Sequence, residues 1–350
     1  MGHTMEVPDK ARFTGTHHSS RLLEVEGLSI AFATDHGWTR VVDDVTFGLD
    51  RGETLGLVGE SGSGKSVTAM AIMGLIPEPP GRVESGTIAL AGEELTALSE
   101  RQLQDRRGAL VSMVFQEPMT SLNPAFTVGE QVAETVRRHR GVGRRAAMNR
   151  AAEMLDLVGI PDARRRLHSY PHEYSGGMRQ RAMIAMALAC DPKLLIADEP
   201  TTALDVTIQA QVLDLLRDLR REFDMAILFV THDLGVVADI CDRVVVMYAG
   251  QLIEEAAVDR LFDQPYHPYT EGLLLSMPQM GDRGGQLNSI PGGPPSPWDL
   301  PPGCRFAPRC HYAIDACTQS EPSLLGHGDA RWSRCLRTND LQLRGSGDQH

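Results

Sequence analysis

One short stretch decides the fold of this chain: Gly59-Glu60-Ser61-Gly62-Ser63-Gly64-Lys65-Ser66, which fits the pattern G-x-x-x-x-G-K-[ST]. The glycines of this pattern let backbone N–H groups turn toward phosphate oxygens, and the helix that follows points its positive dipole end at the same anion. Lys65 supplies a cation for the β- and γ-phosphates, and the Ser66 hydroxyl is a ligand for Mg²⁺. The chain has only three lysines, so a chance match is rare. The stretch predicts a site for ATP or GTP.

The flanking sequence supplies the strand and the helix that such a loop needs. Thr54 to Val58 predicts a strand, and Ser66 to Ile76 predicts a helix. Strands and helices alternate farther along, which indicates right-handed crossovers and an α/β fold with a largely parallel sheet. We expect strands at 22–32, 41–49, 110–115, 194–197 and 226–230, and helices across about 117–172, from near 175, and across 207–223.

Composition and charge indicate a globular protein and disfavour a nucleic-acid-binding or membrane-spanning one. The chain has 350 residues, a net charge of -12 and 42% hydrophobic residues, which is typical of a globular protein of about two domains. The acidic balance disfavours nucleic acid as a partner. We find neither a membrane-spanning stretch nor a secretory signal, so we expect a cytoplasmic protein that meets a membrane only through partners.

A second motif ends an apolar strand in two carboxylates: Leu194-Leu195-Ile196-Ala197-Asp198-Glu199. Asp198 is suited to hold Mg²⁺, directly or through water. Glu199 is suited to orient or deprotonate an attacking water. Taken alone, the motif is equally consistent with an ordinary strand edge. Its place after the phosphate loop favours the catalytic interpretation.

Four further motifs complete a family pattern. They are Gln116, Ser175-Gly176-Gly177, Ala203-Leu204-Asp205 and Thr231-His232-Asp233. With this set in this order, the chain resembles the ATPase subunits of ATP-binding cassette (ABC) transporters over about residues 21–270. The resemblance implies a mixed, largely parallel sheet with a RecA-like core, an antiparallel β subdomain and a helical subdomain at about 117–172. It also implies Gln116 as a contact to Mg²⁺ and the γ-phosphate, Asp205 in the D-loop, and His232 as a contact to the γ-phosphate and the lytic water.

In this family two subunits sandwich ATP head to tail. The resemblance implies that Ser175, Gly176 and Gly177 bind the γ-phosphate held by the other subunit's phosphate loop. Tyr174 and Met178 depart from the family's usual Leu and Gln, which we interpret as variation within a branch. The family also places an aromatic residue against adenine. Phe32, on an early strand, is the first candidate, and Trp38, in an expected longer loop, is the competing one.

The segments Gln116–Pro124, Gln264–Thr270 and Ile290–Gly292 resemble the oligopeptide, dipeptide and nickel importer branch of the family. That branch implies a second, related ATPase subunit, two transmembrane permease subunits and an extracellular substrate-binding protein. We expect three segments: a loose arm at 1–20, the ATPase domain at 21–270, and a C-terminal extension at 271–350. Gly281 to Pro302 is rich in Gly, Pro and Ser, which indicates a linker.

Four cysteines lie in the extension: Cys304, Cys310, Cys317 and Cys335. Their spacing differs from the C-x₂-C pairs of common zinc sites, and a cytosolic chain rarely carries disulfides. Such thiols in a small Pro-rich module suggest a stapling metal centre. The resemblance to dipeptide permease ATPases implies a [4Fe–4S] cluster. Zinc, and free thiols or disulfides, are the alternatives. His311, next to Cys310, is a possible alternative ligand.

The sequence thus predicts an ATPase subunit of a dipeptide or oligopeptide importer at the cytoplasmic face of the membrane. A nickel or metal-chelate importer is the alternative within the class. A soluble cassette ATPase of DNA repair or translation, or a regulator without turnover, are the alternatives outside it.

Overall fold

The computed structural model describes residues 21–116, 121–202, 205–277 and 289–348. The expected arm, residues 203 and 204 of the D-loop motif and the first part of the expected linker lie outside these ranges. The strands are β1 (Arg21–Thr34), β2 (Gly37–Asp50), β3 (Thr54–Val58), β4 (Gly81–Leu90), β5 (Glu93–Glu94), β6 (Val111–Val114), β7 (Leu194–Asp198), β8 (Ala226–Thr231), β9 (Arg243–Tyr248), β10 (Gln251–Ala257), β11 (Leu325–Gly326) and β12 (Trp332–Ser333).

The α-helices connect these strands or cover them. They are α1 (Lys65–Ile72), α2 (Glu100–Arg106), α3 (Val128–Arg140), α4 (Arg144–Leu157), α5 (Ala163–Arg166), α6 (Gly176–Leu188), α7 (Val206–Phe223), α8 (Leu234–Ile240), α9 (Val258–Asp263), α10 (Pro268–Leu275) and α11 (Asp315–Gln319). Single 3₁₀ turns occur at Leu95–Ala97, Pro171–Glu173, Ala307–Arg309 and Ser346–Asp348.

Two sheets organise the chain. The main sheet has the order β11-β12-β10-β9-β3-β8-β7-β6, and its five central strands from β9 to β6 are parallel. The smaller sheet, β2-β1-β4-β5, is antiparallel. The expected α/β class with a largely parallel sheet and an antiparallel unit is confirmed.

The two faces of the main sheet pack against different partners. Along β7, Leu194 and Ile196 pack with α1 and the antiparallel sheet, whereas Leu195 and Ala197 pack with the helices α3 to α7. This alternation follows from the two-residue period of a strand. All four side chains are fully buried, so β7 carries its terminal carboxylates on a rigid element.

Most expected elements are present, with shifted ends. The helix predicted to reach Ile76 ends at Ile72, because Gly74 adopts a left-handed backbone at φ 62°. The loop expected around Trp38 is wrong: Trp38 lies in β2, opposite Ala33 of β1, after a tight turn. The strands β4, β9 and β10 had no counterpart among the sequence predictions. No helix of the described ranges combines the length and apolar character needed to span a membrane.

The C-terminal extension is built onto the main sheet. Residues Glu254 and Glu255 of β10 pair with β12, and β12 pairs with β11. A core around β9, β10 and α8 to α10 includes Tyr248, Tyr269 and Phe306, whose rings lie 4.7 to 5.4 Å apart. The extension therefore shares a hydrophobic core with the ATPase fold.

Candidate functional site

The loop from Gly59 to Ser66 connects β3 to α1, as its motif predicted. A Cβ at Gly59 would lie 2.2 Å from the Met247 carbonyl oxygen, so this position accepts only glycine. Gly62 and Gly64 adopt left-handed backbones, at φ 80° and 103°. Ser61 and Gly62 are exposed at the mouth of the loop. The loop can therefore present its backbone N–H groups to an anion at the N-terminus of α1.

Lys65 is held by the loop itself. Its Nζ donates to the carbonyl oxygens of Gly59 at 2.7 Å and Glu60 at 2.9 Å, and lies 3.4 Å from the Ser63 hydroxyl. Burial lowers its pKa, and the carboxylates of Glu199 and Asp198 oppose that shift. The ammonium group is thus fixed beside the loop, where phosphate oxygens would enter.

Ser66 and Asp198 meet across the end of β7. The Ser66 hydroxyl donates to Asp198 Oδ1 at 3.1 Å, and Asp198 is buried. Burial raises the pKa of Asp198, opposed by this hydrogen bond. A hydroxyl and a carboxylate oxygen at this separation are suited to share a Mg²⁺ ion.

Glu199 is the centre of a hydrogen-bond network. Its Oε2 accepts from Gln116 Nε2 at 2.8 Å and from the Thr202 hydroxyl at 2.9 Å, and its Oε1 lies 3.0 Å from His232 Nδ1. The strands β6, β7 and β8 are neighbours, so the residues that follow them come together at one sheet edge. The predicted residues Gln116, Glu199 and His232 therefore form one constellation, to which Thr202 is an addition that the motifs did not reveal.

The environment keeps Glu199 ionised. Burial raises its pKa, but hydrogen bonds from His232 and Thr202 outweigh burial and hold the pKa below its usual range. The backbone of Glu199 is left-handed at φ 46°, and its N–H donates to the Val230 carbonyl at 2.9 Å. A non-glycine residue in this conformation is uncommon and is maintained by its surroundings.

The predicted signature stands apart from this constellation, at the start of α6. Ser175 caps the helix, accepting from the Met178 N–H at 3.3 Å. Ser175 and Gly176 are exposed, so this helix N-terminus is open to an anion from outside the subunit. Tyr174 is 2% exposed, so it takes a core position, and its hydroxyl donates to the Arg166 carbonyl.

Two other predicted residues have clear local positions. Asp205 caps α7 by accepting from the Ile208 N–H at 2.9 Å. Phe32 is half-buried and packs against the core on β1. Trp38 is 50% exposed, and the Arg82 guanidinium lies 3.8 Å from its ring centroid. The pairing of β1 with β2 puts Phe32 opposite Thr39 and Trp38 opposite Ala33.

The phosphate loop also contacts the extension, which the sequence did not indicate. Arg309 donates from Nη1 to Glu60 Oε2 at 2.8 Å and from Nη2 to Glu60 Oε1 at 3.0 Å. The Glu60 N–H donates to the Tyr269 hydroxyl at 2.8 Å. Tyr269 lies in the segment Gln264–Thr270, whose family resemblance was noted, but nothing in the spacing of Tyr269 or Arg309 pointed to the loop.

The four cysteines of the extension line one cavity of about 20 Å³. All six cysteines of the chain are free thiols. Burial raises the pKa of the Cys310 thiol to about 11, and the thiols of the other three cysteines add to the shift. His311 is exposed and lines a neighbouring cavity instead. In the described ranges, no three His, Cys, Asp or Glu side chains are placed to hold a single metal ion.

A backbone N–H points at one of these sulfurs: Arg337 donates to Cys335 Sγ at 3.4 Å. Backbone groups of Phe306 and Ala307 beside Cys304, and of Tyr312 beside Cys310, partly offset the rise in thiol pKa that burial causes. The Cys304 N–H donates to the Cys317 carbonyl at 2.8 Å, which ties two of the cysteine segments together. Such N–H···S bonds stabilise thiolates and tune the metal centres that thiolates bind.

Comparison with known families gives two matches. Residues 42–202 match the ABC transporter family model, and residues 253–317 match the model of the oligopeptide/dipeptide transporter C-terminal region. The oligopeptide transport ATP-binding protein AppD of Bacillus subtilis (strain 168) is 54% identical over 317 residues, covering 91% of this chain and 97% of AppD. A putative peptide import ATP-binding protein of Brucella abortus (strain 2308) is 53% identical over 331 residues, covering 91% and 98%.

Solved structures give the same fold. The dimeric post-hydrolysis structure of the ATP-binding cassette MJ0796, bound to ADP and Pi, has a TM-score of 0.61 and 26% sequence identity, and covers 68% of this chain and 99% of that one. Cassette cbiO1 of Clostridium perfringens, described as part of an ABC transporter complex, has a TM-score of 0.59 and 26% identity, and covers 69% and 91%.

Proposed function

The chain belongs to the ABC transporter family, and from this premise we propose that it is the ATP-hydrolysing subunit that powers import of dipeptides or oligopeptides through partner permease subunits. The observation that carries the proposal is the convergence of Lys65, Ser66, Asp198 and Glu199 at the end of the parallel sheet. The C-terminal match and the names of the similar proteins support a peptide as cargo.

Each residue of the site has a role in this proposal. The loop from Gly59 to Ser66 binds the phosphates through its backbone N–H groups, and Lys65 neutralises the β- and γ-phosphates. Ser66 and Asp198 hold Mg²⁺, and Gln116 contacts that ion and the γ-phosphate. Asp205 belongs to the D-loop beside a second subunit.

Hydrolysis needs an ionised base and an oriented water. Glu199 accepts a proton from the water that attacks the γ-phosphorus, and His232 holds the γ-phosphate and that water. The low pKa of Glu199 keeps the carboxylate ready as the acceptor. Its bonds to Gln116 and His232 set the direction of the carboxylate before water arrives.

The signature implies that one subunit is incomplete. Ser175, Gly176 and Gly177 are the anion site for the γ-phosphate of a second ATPase subunit, and the exposure of Ser175 and Gly176 supports this role. A related but different partner subunit is favoured by the importer branch. ATP closes the head-to-tail dimer, and hydrolysis opens it again.

Adenine stacking is assigned to Phe32. A Cβ at Gly64 would lie 2.9 Å from the Val41 carbonyl oxygen, so β2 runs beside the phosphate loop. Phe32 lies on β1, which pairs with β2, and in this proposal that pairing brings Phe32 near the nucleotide. Trp38 is the competing residue. Affinity for a fluorescent ATP analogue separates them: Phe32→Ala weakens binding and Trp38→Ala leaves it unchanged, and the reverse result assigns the contact to Trp38.

Transport requires membrane partners. The helical region at about 117–172 presses on the permease subunits in this proposal. Near its start, the side chains of Phe115 and Phe126 are 42% and 56% exposed. We place the chain at the cytoplasmic face of the membrane, bound to two permease subunits that receive cargo from a substrate-binding protein. The domain division at residues 20 and 270, with helices at 117–172, is part of this proposal.

We assign a [4Fe–4S] cluster to Cys304, Cys310, Cys317 and Cys335. Each thiolate of such a cluster binds a different iron atom, so its ligands stand farther apart than those around one ion. The shared cavity and the hydrogen bond from the Arg337 N–H to Cys335 Sγ fit this donor set. The cluster would staple the extension together. Iron and sulfide analysis of anaerobically purified protein tests the assignment, and iron-free or zinc-loaded protein contradicts it.

The function is tested on the native complex. Affinity purification should recover two integral membrane subunits and a second ATPase, and vesicles with the complex should take up defined peptides in an ATP-dependent manner. Uptake of nickel chelates instead of peptides would contradict the proposed cargo and favour a nickel importer. Recovery of soluble nucleic-acid enzymes without membrane subunits would contradict the proposed transport function.

A further inference from the structure

An ion pair between Arg309 and Glu60 joins the C-terminal extension to the phosphate loop. Two parallel hydrogen bonds, of 2.8 and 3.0 Å, join the guanidinium to both carboxylate oxygens. The Arg309 side chain is 6% exposed and the Glu60 side chain 27% exposed. A bidentate pair of this kind is strong and fixes orientation as well as distance.

Glu60 is held at three points. Its carboxylate accepts from Arg309, its N–H donates to the Tyr269 hydroxyl, and its carbonyl oxygen accepts from Lys65 Nζ at 2.9 Å. The same residue therefore touches the extension on one side and the phosphate-binding lysine on the other. Any rotation of the Glu60 peptide would move a backbone group of the loop.

Arg309 is itself held by several hydrogen bonds. It donates to the carbonyl oxygens of Pro291 at 2.9 Å and Gly292 at 3.3 Å, and to the Tyr248 hydroxyl at 3.3 Å, in addition to Glu60. All three guanidinium nitrogens are thus engaged. The guanidinium carbon also lies 5.7 Å from the centroid of the Tyr248 ring, within the range of a cation–π contact.

We propose that Arg309 and Tyr269 are positioning residues for the phosphate loop, and that through Arg309 the cysteine-bearing extension sets the affinity of the chain for ATP. Arg309, which binds Glu60, directly precedes Cys310, which lines the cavity of the four thiols. One side chain therefore joins the wall of that cavity to the phosphate loop. The inference rests on ATP binding at the loop, as the proposed function does.

The energetic role is preorganisation. A loop held in its binding shape gives up less conformational freedom when the phosphates arrive. Arg309 and Tyr269 do not reach the reacting atoms, so their loss weakens binding of the ground state and transition state alike. Such a change raises KM and leaves kcat nearly unchanged.

A double-mutant cycle on the purified full chain tests the ion pair. Arg309→Gln and Glu60→Gln should each raise the Kd for a fluorescent ATP analogue about three- to tenfold, the scale of a charge-assisted contact. The Kd of the double variant should be no higher than that of the single variant with the higher Kd, because both substitutions remove the same interaction. Additive losses, or unchanged affinity in both single variants, would overturn the inference.

Tyr269→Phe removes only the hydroxyl that accepts from the Glu60 N–H and keeps the ring in its core. If Arg309→Gln destabilises the extension, this variant still tests whether contacts to Glu60 set the affinity for ATP. It should raise the ATP KM at constant kcat. Arg334→Gln is the matched control, since this buried arginine donates to the carbonyls of Leu252 and Pro322. If the control raises the ATP KM as much, the effect is general loosening and the inference fails. A wild-type chain without ATPase activity in its complex would instead refute the proposed function.

Discussion

The side-chain amide of Gln116 donates a 2.8 Å hydrogen bond to Glu199 Oε2, across 83 positions of the sequence. The contact joins the residue proposed to touch Mg²⁺ and the γ-phosphate to the proposed base. A movement of Gln116 at the phosphates would therefore also move the Glu199 carboxylate.

Replacement of the base should stop turnover without stopping ATP binding. Glu199→Gln keeps the shape of the side chain but removes the proton acceptor, and loss of a general base lowers rates by about 10²- to 10⁴-fold. Phosphate release measures the rate, and light scattering with ATP measures the trapped dimer. Full hydrolysis by this variant would refute the role of Glu199.

The pH profile should depend on His232. In the wild type the pKa of Glu199 is held low, so the base stays ionised as the pH falls. His232→Ala removes one of the hydrogen bonds responsible, so the pKa rises and the base is protonated at higher pH. The acid limb of the rate profile should shift upward. His232→Gln, which can retain a donor, should shift it less. An acid limb that stays in place in both variants would contradict the network.

The Mg²⁺ requirement should depend on the Ser66 hydroxyl. Ser66→Ala leaves Asp198 without its 3.1 Å partner and removes one proposed ligand. The Mg²⁺ concentration for half-maximal ATPase activity should rise about tenfold or more. Ser66→Thr keeps the hydroxyl and should behave like the wild type. Equal requirements in the alanine and threonine variants would argue against Mg²⁺ at this position.

The extension should be sensitive to one glycine and not to another. A Cβ at Gly303 would lie 2.3 Å from the Cys317 carbonyl oxygen, so Gly303→Ala must push apart the two cysteine segments. We expect the extension to lose about 1–3 kcal/mol of local stability, measured by hydrogen exchange of residues 303–317. Gly293→Ala meets nothing within 4 Å and serves as the control. Equal protection in both variants would show that the contact is not tight.

The convergence of Gln116, Glu199 and His232 could be expected from the sequence, because each of these motif residues follows a strand. Because β6, β7 and β8 are neighbours in the sheet, Gln116, Glu199 and His232, which follow them, lie together at one edge. The Arg309–Glu60 pair could not be predicted in this way. It joins residues 249 positions apart, and the extension has no periodic pattern that would fix its path. The prediction for Trp38 was wrong for a local reason: only the two residues 35 and 36 connect β1 to β2, so β2 begins at Gly37 and includes Trp38.

The pairing of β12 and β11 onto β10 has a consequence for the solubility of the isolated chain. Without the extension, the seven-residue strand Gln251–Ala257 would present open backbone N–H and C=O groups along the rim of the main sheet. Such a rim is a template for aggregation, and a two-residue terminal strand such as Leu325–Gly326 is too short to act as one. The cysteine-bearing extension thus also protects the ATPase fold against self-association by strand addition.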